Sequence, residues 1–447
     1  MTLHAGWRVS CLVAVLSIRA YGSAAAQTSL QVPLQFDFVN PGAKSMAQAG
    51  AFVGLADDAT ASFANPAGLT LLGSPEVSLE FRAGHLRSPY LERGRLAGPV
   101  TSLGIDTVAG PVFADSTDLQ AAVSYISLVY PHRSSRWVVA GYRHELARVD
   151  QRFASQGVFR LDPAEFTSRR DVPQDGTRAL AITGYGIAGA YKPARFVSLG
   201  AALVVYRFDF GSEFKRYFVD DFFGAANRSV SRADLFSYTR QAGADTSVAP
   251  VFGIAIDRGR WRFGSVYRHG ASFDYDTIGD DDAVVGGTFR VPHTLSAGAS
   301  LRNGPWTAAF ELTRIGYARL QHDFVTIQTR GRDKDFSIDN GTEVHGSVQY
   351  AWRRAQGPPI RLRGGAWLDP DHSVKFHPAS EPQTAADRTA DDIFRTALSQ
   401  GGDQLHITGG VGITLTPALE LNVAFDGASR TKLFSTSIIV HLERGKP

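Results

Sequence analysis

The chain has 447 residues, with 46 basic against 43 acidic side chains, 45 glycines, 28 phenylalanines, 14 tyrosines and a single cysteine. A net charge of only +3 gives no electrostatic reason to expect nucleic acid as a partner. One thiol, Cys11, excludes a disulfide and any cysteine-rich metal site.

Residues 1–26 read as a secretory signal peptide. Arg8 supplies a positive start, an apolar stretch runs from Cys11 to Ile18, and Ala24-Ala25-Ala26 offers a small-residue cleavage site before Gln27. Cleavage would remove Cys11, and losing Arg8 and Arg19 would take the basic count from 46 to 44 against 43 acids. No later stretch is long and apolar enough to be a membrane helix. An exported, aromatic-rich chain of weak hydropathy can still enter a membrane as a barrel, where only alternate residues meet lipid.

Residues 27–75 do not alternate. Small residues dominate from Gly42 to Leu69, as tight packing of backbone inside a lumen requires. Asn65-Pro66 and Gly68 punctuate turns. Asp57 and Asp58 are placed to cap a helix or to bond lumen arginines.

From Glu76 onward the pattern has period two. Leu405, Ile407, Val411 and Ile413 share one face, with His406, Thr408 and Thr414 on the other. Such alternation predicts strands near 76–83, 119–130, 137–149, 178–191, 196–214, 251–257 and 261–273. Seven more are predicted near 290–301, 305–320, 343–352, 360–368, 404–415, 418–426 and 431–442. Long connections over 84–118, 150–177, 215–250, 274–289, 321–342 and 369–403 alternate with short ones such as 131–136, 192–195, 302–304 and 416–417. This sorting predicts an all-β, fourteen-stranded antiparallel transmembrane β-barrel spanning 76–447, with an N-terminal plug (27–75) in its lumen and short turns at the periplasmic rim. Tyr130, Trp137, Tyr191, Trp261, Trp306 and Trp352 lie near strand ends and fit an interfacial girdle. In strand 196–214, Leu199, Ala201, Leu203 and Val205 give way to Tyr206, Phe208 and Phe210, which reads as a change of phase and a bulge.

The plug carries Gly50-Ala51-Phe52, Ala56-Asp57-Asp58-Ala59, Phe63 and Asn65-Pro66-Ala67-Gly68. This pattern resembles the N-terminal hatch of the outer-membrane long-chain fatty acid and hydrocarbon transporters of the FadL/TodX type. The strongest match covers about 28 residues, from Gly42 to Leu69. One departure is the end of the chain, Val440-His441-Leu442-Glu443, where such barrels finish on an aromatic residue. The resemblance implies a monomer in the bacterial outer membrane, in contact with its lipid and lipopolysaccharide. It implies capture of a hydrophobic small molecule by the outer loops and release sideways after the hatch shifts. No energy source and no cofactor are implied.

The hatch residues Gly50, Phe52, Asp57, Asp58, Asn65, Pro66 and Gly68 are one candidate site. A second is the loop 215–250, whose Tyr217, Phe218, Phe222, Phe223, Leu235, Phe236 and Tyr238 form an unusual apolar load. A fatty acid carboxylate wants a cation. Alternation puts Arg262, Arg268, Arg361 and Arg363 on lumen faces, with Glu311, Glu420 and Asp426 as partners; Arg268 is the ligand candidate. His345, His406 and His441 share lumen faces with serines, but no nucleophile elbow and no metal-type histidine spacing occurs, so neither catalysis nor a metal site is expected. The alternative is a hatch-bearing barrel that binds exported partners or serves secretion, favoured by the acidic loop 369–403.

Overall fold

The computed structural model describes residues Phe38 to Leu442, apart from 103, 133–135, 163–166, 172, 220–228, 230, 280–281, 322–331 and 356. The signal-peptide expectation for 1–26 lies outside the described residues.

Fourteen staves form one closed antiparallel sheet. They are β1 (Glu76–Ala97), β2 (Pro111–Pro131), β3 (Trp137–Ser155), β4 (Gln174–Ala194), β5 (Val197–Tyr217) and β6 (Leu235–Arg258). Two interrupted staves follow, β7 (Trp261–Arg268 and Ser272–Ile278) and β8 (Val284–Arg290 and Thr294–Asn303). The rest are β9 (Trp306–Ile315), β10 (Gly341–Trp352), β11 (Ile360–Asp369), β12 (Gln404–Thr416), β13 (Leu419–Gly427) and β14 (Thr431–His441). Closure comes from β1 pairing with β14, in register from Glu76↔His441 to Leu86↔Thr431. Every stave thus has two neighbours, which satisfies the backbone groups that lipid cannot.

The alternation resolves with its apolar face outward. Ile187 is 75 % exposed and Leu203 56 %, whereas Glu80 is fully buried and Arg363 is 6 % exposed. A water-soluble sheet would reverse this arrangement, so the outer face is built for hydrocarbon. Tyr130, Trp137, Trp261, Trp306 and Trp352 are all exposed at the short-turn end, and Trp137 stacks on Tyr191 at 4.2 Å.

The staves are unequal. β1 to β6 run for 19 to 24 residues, but β9 to β14 for only 9 to 13. About ten residues cross a bilayer, so one half of the wall stands clear of it, by roughly 25 Å after allowing for tilt. The outward side chains mark the change. On β5, Leu199, Leu203 and Val205 give way to exposed Arg207 and Asp209; on β3, Trp137 and Val139 give way to Arg148, Asp150 and Arg152. The predicted strands 76–83, 119–130 and 251–257 were therefore too short, because backbone pairing continues where the apolar stripe stops. The loop 215–250 is corrected likewise, since its second part, from Leu235 onward, is the outer part of β6.

The bulge expected in β5 is absent. Its register with β4 runs unbroken from Gln174↔Arg216 to Tyr191↔Leu199, and Tyr206, Phe208 and Phe210 are buried in the lumen. Arg207 and Asp209 occupy the outward positions, so the apparent change of phase is a change of environment. The real irregularity is in β7 and β8, broken at 269–271 and 291–293. The lower part of β7 pairs with Val251–Arg258 of β6, and its upper part only with Arg240–Ala242. Between them, among the described residues, the segment 244–249 of β6 is paired with β5 alone, which leaves a notch in the β6–β7 ladder.

Candidate functional site: the plug and the lumen above it

Residues 38–75 lie inside the barrel as short helices α1 (Ala43–Ala47) and α2 (Ala61–Ala64) and a 3-10 turn over Pro66–Leu71. Nearly every side chain from Ala43 to Thr70 is buried, which the small residues allow. Gly50 takes φ +73°, a left-handed turn that a side chain would strain. The wall yields space in return. A Cβ on Gly200 would lie 2.2 Å from the Ala67 nitrogen, and one on Gly264 2.2 Å from the Val53 carbonyl oxygen.

Polar groups from around the lumen tie the plug down. Glu80 on β1 accepts the Gly42 N–H at 2.9 Å, and Ser437 on β14 accepts that of Ala43 at 3.2 Å. One oxygen of Glu311 on β9 accepts both Phe52 N–H at 2.8 Å and Val53 N–H at 2.7 Å. His345 on β10 donates from Nδ1 to the Ala49 carbonyl at 2.7 Å. Asn65 donates to the Val53 and Ile254 carbonyls and accepts Ala67 N–H at 3.1 Å, capping the turn that Pro66 begins. Gly68 packs so closely on Ala56 that a Cβ would sit 2.4 Å from its carbonyl oxygen.

The two aspartates share Lys44, which lies 3.2 Å from Asp58, and Asp58 is not the N-cap of α2, a position held by Thr60. Asp58 accepts the N–H of Thr60 at 2.9 Å and its hydroxyl at 2.5 Å, at the start of α2. Asp57 pairs with Lys44 and with Arg302 on β8, both at 2.6 Å. Burial works against the charge of Asp57, but Lys44 and then Arg302 hold its carboxyl well below the ordinary carboxylate range. Burial likewise opposes the Lys44 charge, yet Asp57 and Asp58 outweigh it and hold the ammonium above its usual range.

The four candidate arginines each bond protein groups. Arg268 donates to the carbonyls of Ala64 at 2.6 Å and Phe63 at 3.2 Å and to Asn40, and lies over the Phe63 ring. Arg262 pairs with Asp257, Arg361 with Glu420, and Arg363 bonds Asn422 and Gln349. Asp426 bonds His406 and Trp367, and His441 bonds Glu76.

Above the plug the lumen is aromatic. One apolar cluster runs from Val53, Phe63 and Leu69 past Tyr142 to Phe208, Phe273 and Phe289. Phe208 stacks on Phe273 at 4.8 Å and on Phe289 at 5.5 Å, directly behind the notch between β6 and β7. The rings are contributed by three staves, so no local pattern announced them. Of the loop candidates, Phe218 and Phe236 come together at 6.4 Å on the tall rim, exposed by 67 % and 50 %. Phe222 and Phe223 lie outside the described residues.

No protein-family model matches the sequence, and no curated protein does. Solved structures do. The chain is similar to a FadL homologue of Pseudomonas aeruginosa, with TM-score 0.58 and 13 % identity over 92 % of this chain and 100 % of that one. It is similar to the toluene transporter TodX of P. putida (TM-score 0.53, 12 % identity, 91 % and 100 % covered). The toluene transporter TbuX of Ralstonia pickettii gives 0.51 and 14 %, with the same coverage. At such identities the likeness establishes a shared fold, that of the FadL/TodX-type outer-membrane barrels.

Proposed function

We propose that the chain is a passive conduit for uncharged hydrophobic small molecules across the bacterial outer membrane, with the short turns on the periplasmic side. The aromatic lumen behind the wall notch carries this reading. An apolar solute leaving water for that lining gains on the order of 25 cal/mol per Å² buried. Phe218 and Phe236 on the tall rim offer a first apolar contact outside. The notch beside Phe208 and Phe273 offers a sideways exit into lipid, which spares the solute a return to water. The plug below closes the direct route, and no step is driven or catalysed.

The commitment of the four candidate arginines favours hydrocarbons over fatty acids. A carboxylate entering the lumen needs a cation, and Arg262, Arg268, Arg361 and Arg363 already bond protein groups. Stacked phenylalanines suit aromatic hydrocarbons best. Two of the structurally similar proteins are toluene transporters by description, which supports the same substrate class.

Cells producing the barrel should take up labelled toluene saturably, and labelled oleate more slowly. Absence of toluene uptake above empty cells, with the barrel shown to be inserted, would overturn the conduit and leave partner binding as the role. Equal handling of oleate would overturn the preference for uncharged ligands.

A further inference from the structure

The short-turn rim carries a ring of exposed arginines that the conduit does not use. Arg136 lies in the β2–β3 turn, Arg195 between β4 and β5, Arg258 at the end of β6 and Arg260 between β6 and β7. Arg353 and Arg354 lie between β10 and β11. All six are exposed, and they occupy four of the six short turns.

The rim carboxylates do not neutralise the five that lie outside the β2–β3 turn. Asp257 is taken by Arg262 at 3.1 Å, and Glu420 by Arg361 at 3.3 Å and Arg363 at 3.7 Å. Among the described residues, Arg195, Arg258, Arg260, Arg353 and Arg354 have no carboxylate within ion-pair distance.

The ring lies against the aromatic girdle. Arg258 stacks over Phe196 at 3.9 Å, Arg136 precedes Trp137 in sequence, and Arg353 follows Trp352. Aromatic side chains of this kind sit at the headgroup level of a bilayer, and arginines just beyond them extend long stems to reach phosphates. A soluble acidic partner would need its contacts gathered on one face. Charges spread around the circumference, at the height of the girdle, match a surrounding annulus of lipid.

We propose that this rim binds the anionic phospholipid headgroups of the inner leaflet. Guanidinium groups take phosphate oxygens in pairs, and basic residues beside a membrane favour anionic lipid additively. The inference rests on the membrane placement argued above.

The test uses the full barrel in vesicles of equal phosphatidylglycerol and phosphatidylethanolamine. It compares wild type with a variant carrying R195Q, R258Q, R260Q, R353Q and R354Q. After mild detergent extraction, the lipid retained by each folded barrel is quantified by headgroup. Wild type should retain phosphatidylglycerol several-fold above the vesicle ratio, and the variant should fall back to that ratio while keeping its heat-modifiable gel mobility. Retention at the vesicle ratio by an inserted wild type overturns the inference alone, as does unchanged enrichment in the variant. A wild type that inserts into no bilayer overturns the membrane reading with it.

Discussion

Glu311 holds Phe52 by its backbone: the carboxylate, on the wall, accepts the Phe52 N–H at 2.8 Å and through the same oxygen takes that of Val53. The residues are 259 positions apart in sequence. A buried carboxylate cradled by consecutive N–H groups is a fixed anchor, because removing it leaves two donors without partners. Replacing Glu311 by Ala should cost the plug about 1–3 kcal/mol for each orphaned group. Hydrogen exchange over residues 42–70 should then accelerate while the barrel strands stay protected. Unchanged exchange would show that Glu311 is not an anchor.

The Lys44–Asp57–Arg302 cluster gives the plug a pH signature. Asp57 is held below its ordinary value of 3.8, so its contribution is complete above about pH 4 and is lost only as pH falls through the depressed value. Lys44 is raised above 10.5, so its contribution is complete below that pH and is lost as pH rises through the raised value. The loss of plug protection caused by Asp57→Asn should therefore be constant from about pH 5 to 9. It should shrink only in stronger acid, where wild type is protonated too. A difference that already disappears at pH 6 would contradict the assigned pairing.

Gly200→Val tests the fit of plug to wall. The new side chain would collide with Pro66 and Ala67, since even a Cβ lies 2.2 Å from the Ala67 nitrogen. Strand pairing does not involve that side chain, so the barrel should keep its heat-modifiable mobility while the plug becomes protease-sensitive. A plug as resistant as wild type would show that the wall gives way instead.

Phe208→Ala removes the ring that joins Phe273 and Phe289. Buried Phe→Ala changes cost roughly 3–5 kcal/mol locally, which a closed sheet tolerates. Saturable uptake of labelled toluene should fall several-fold, with insertion unchanged. Uptake at the wild-type rate would remove the aromatic lining from the route.

What the sequence displayed depended on whether lipid was present. Where strands face hydrocarbon, as at Leu405–Ile413, alternation is strict and the elements were read nearly to the residue. Beyond the bilayer the constraint lapses: Arg207, Asp209 and Arg148 can face water without loss, and strands there read as loops. The same lapse turned Tyr206–Phe210 into an apparent bulge, although the lumen had simply become apolar while the outside became polar. The plug was recognisable by its small residues and its Asn-Pro and Asp-Asp steps. Its anchors were not, because Glu311, His345 and Gly200 meet it from distant staves and no local spacing encodes that meeting. Arg268 was correctly placed on the lumen face, but its partners are main-chain carbonyls, which composition cannot reveal.

The closure of β1 on β14 has a bearing on the order of assembly. Glu80 of the first stave takes Gly42, Ser437 of the last takes Ala43, and Ser435 donates to Glu80 across the same join at 2.6 Å. The seam that completes the ring is thus stitched through its own contents. Because both strands of the seam bond it, the segment 38–75 is expected to be seated when β1 and β14 join, like a mandrel around which the wall is drawn shut. A peptide of residues 38–75 offered to a ring already closed without it should therefore fail to seat. The same peptide present during refolding should be captured.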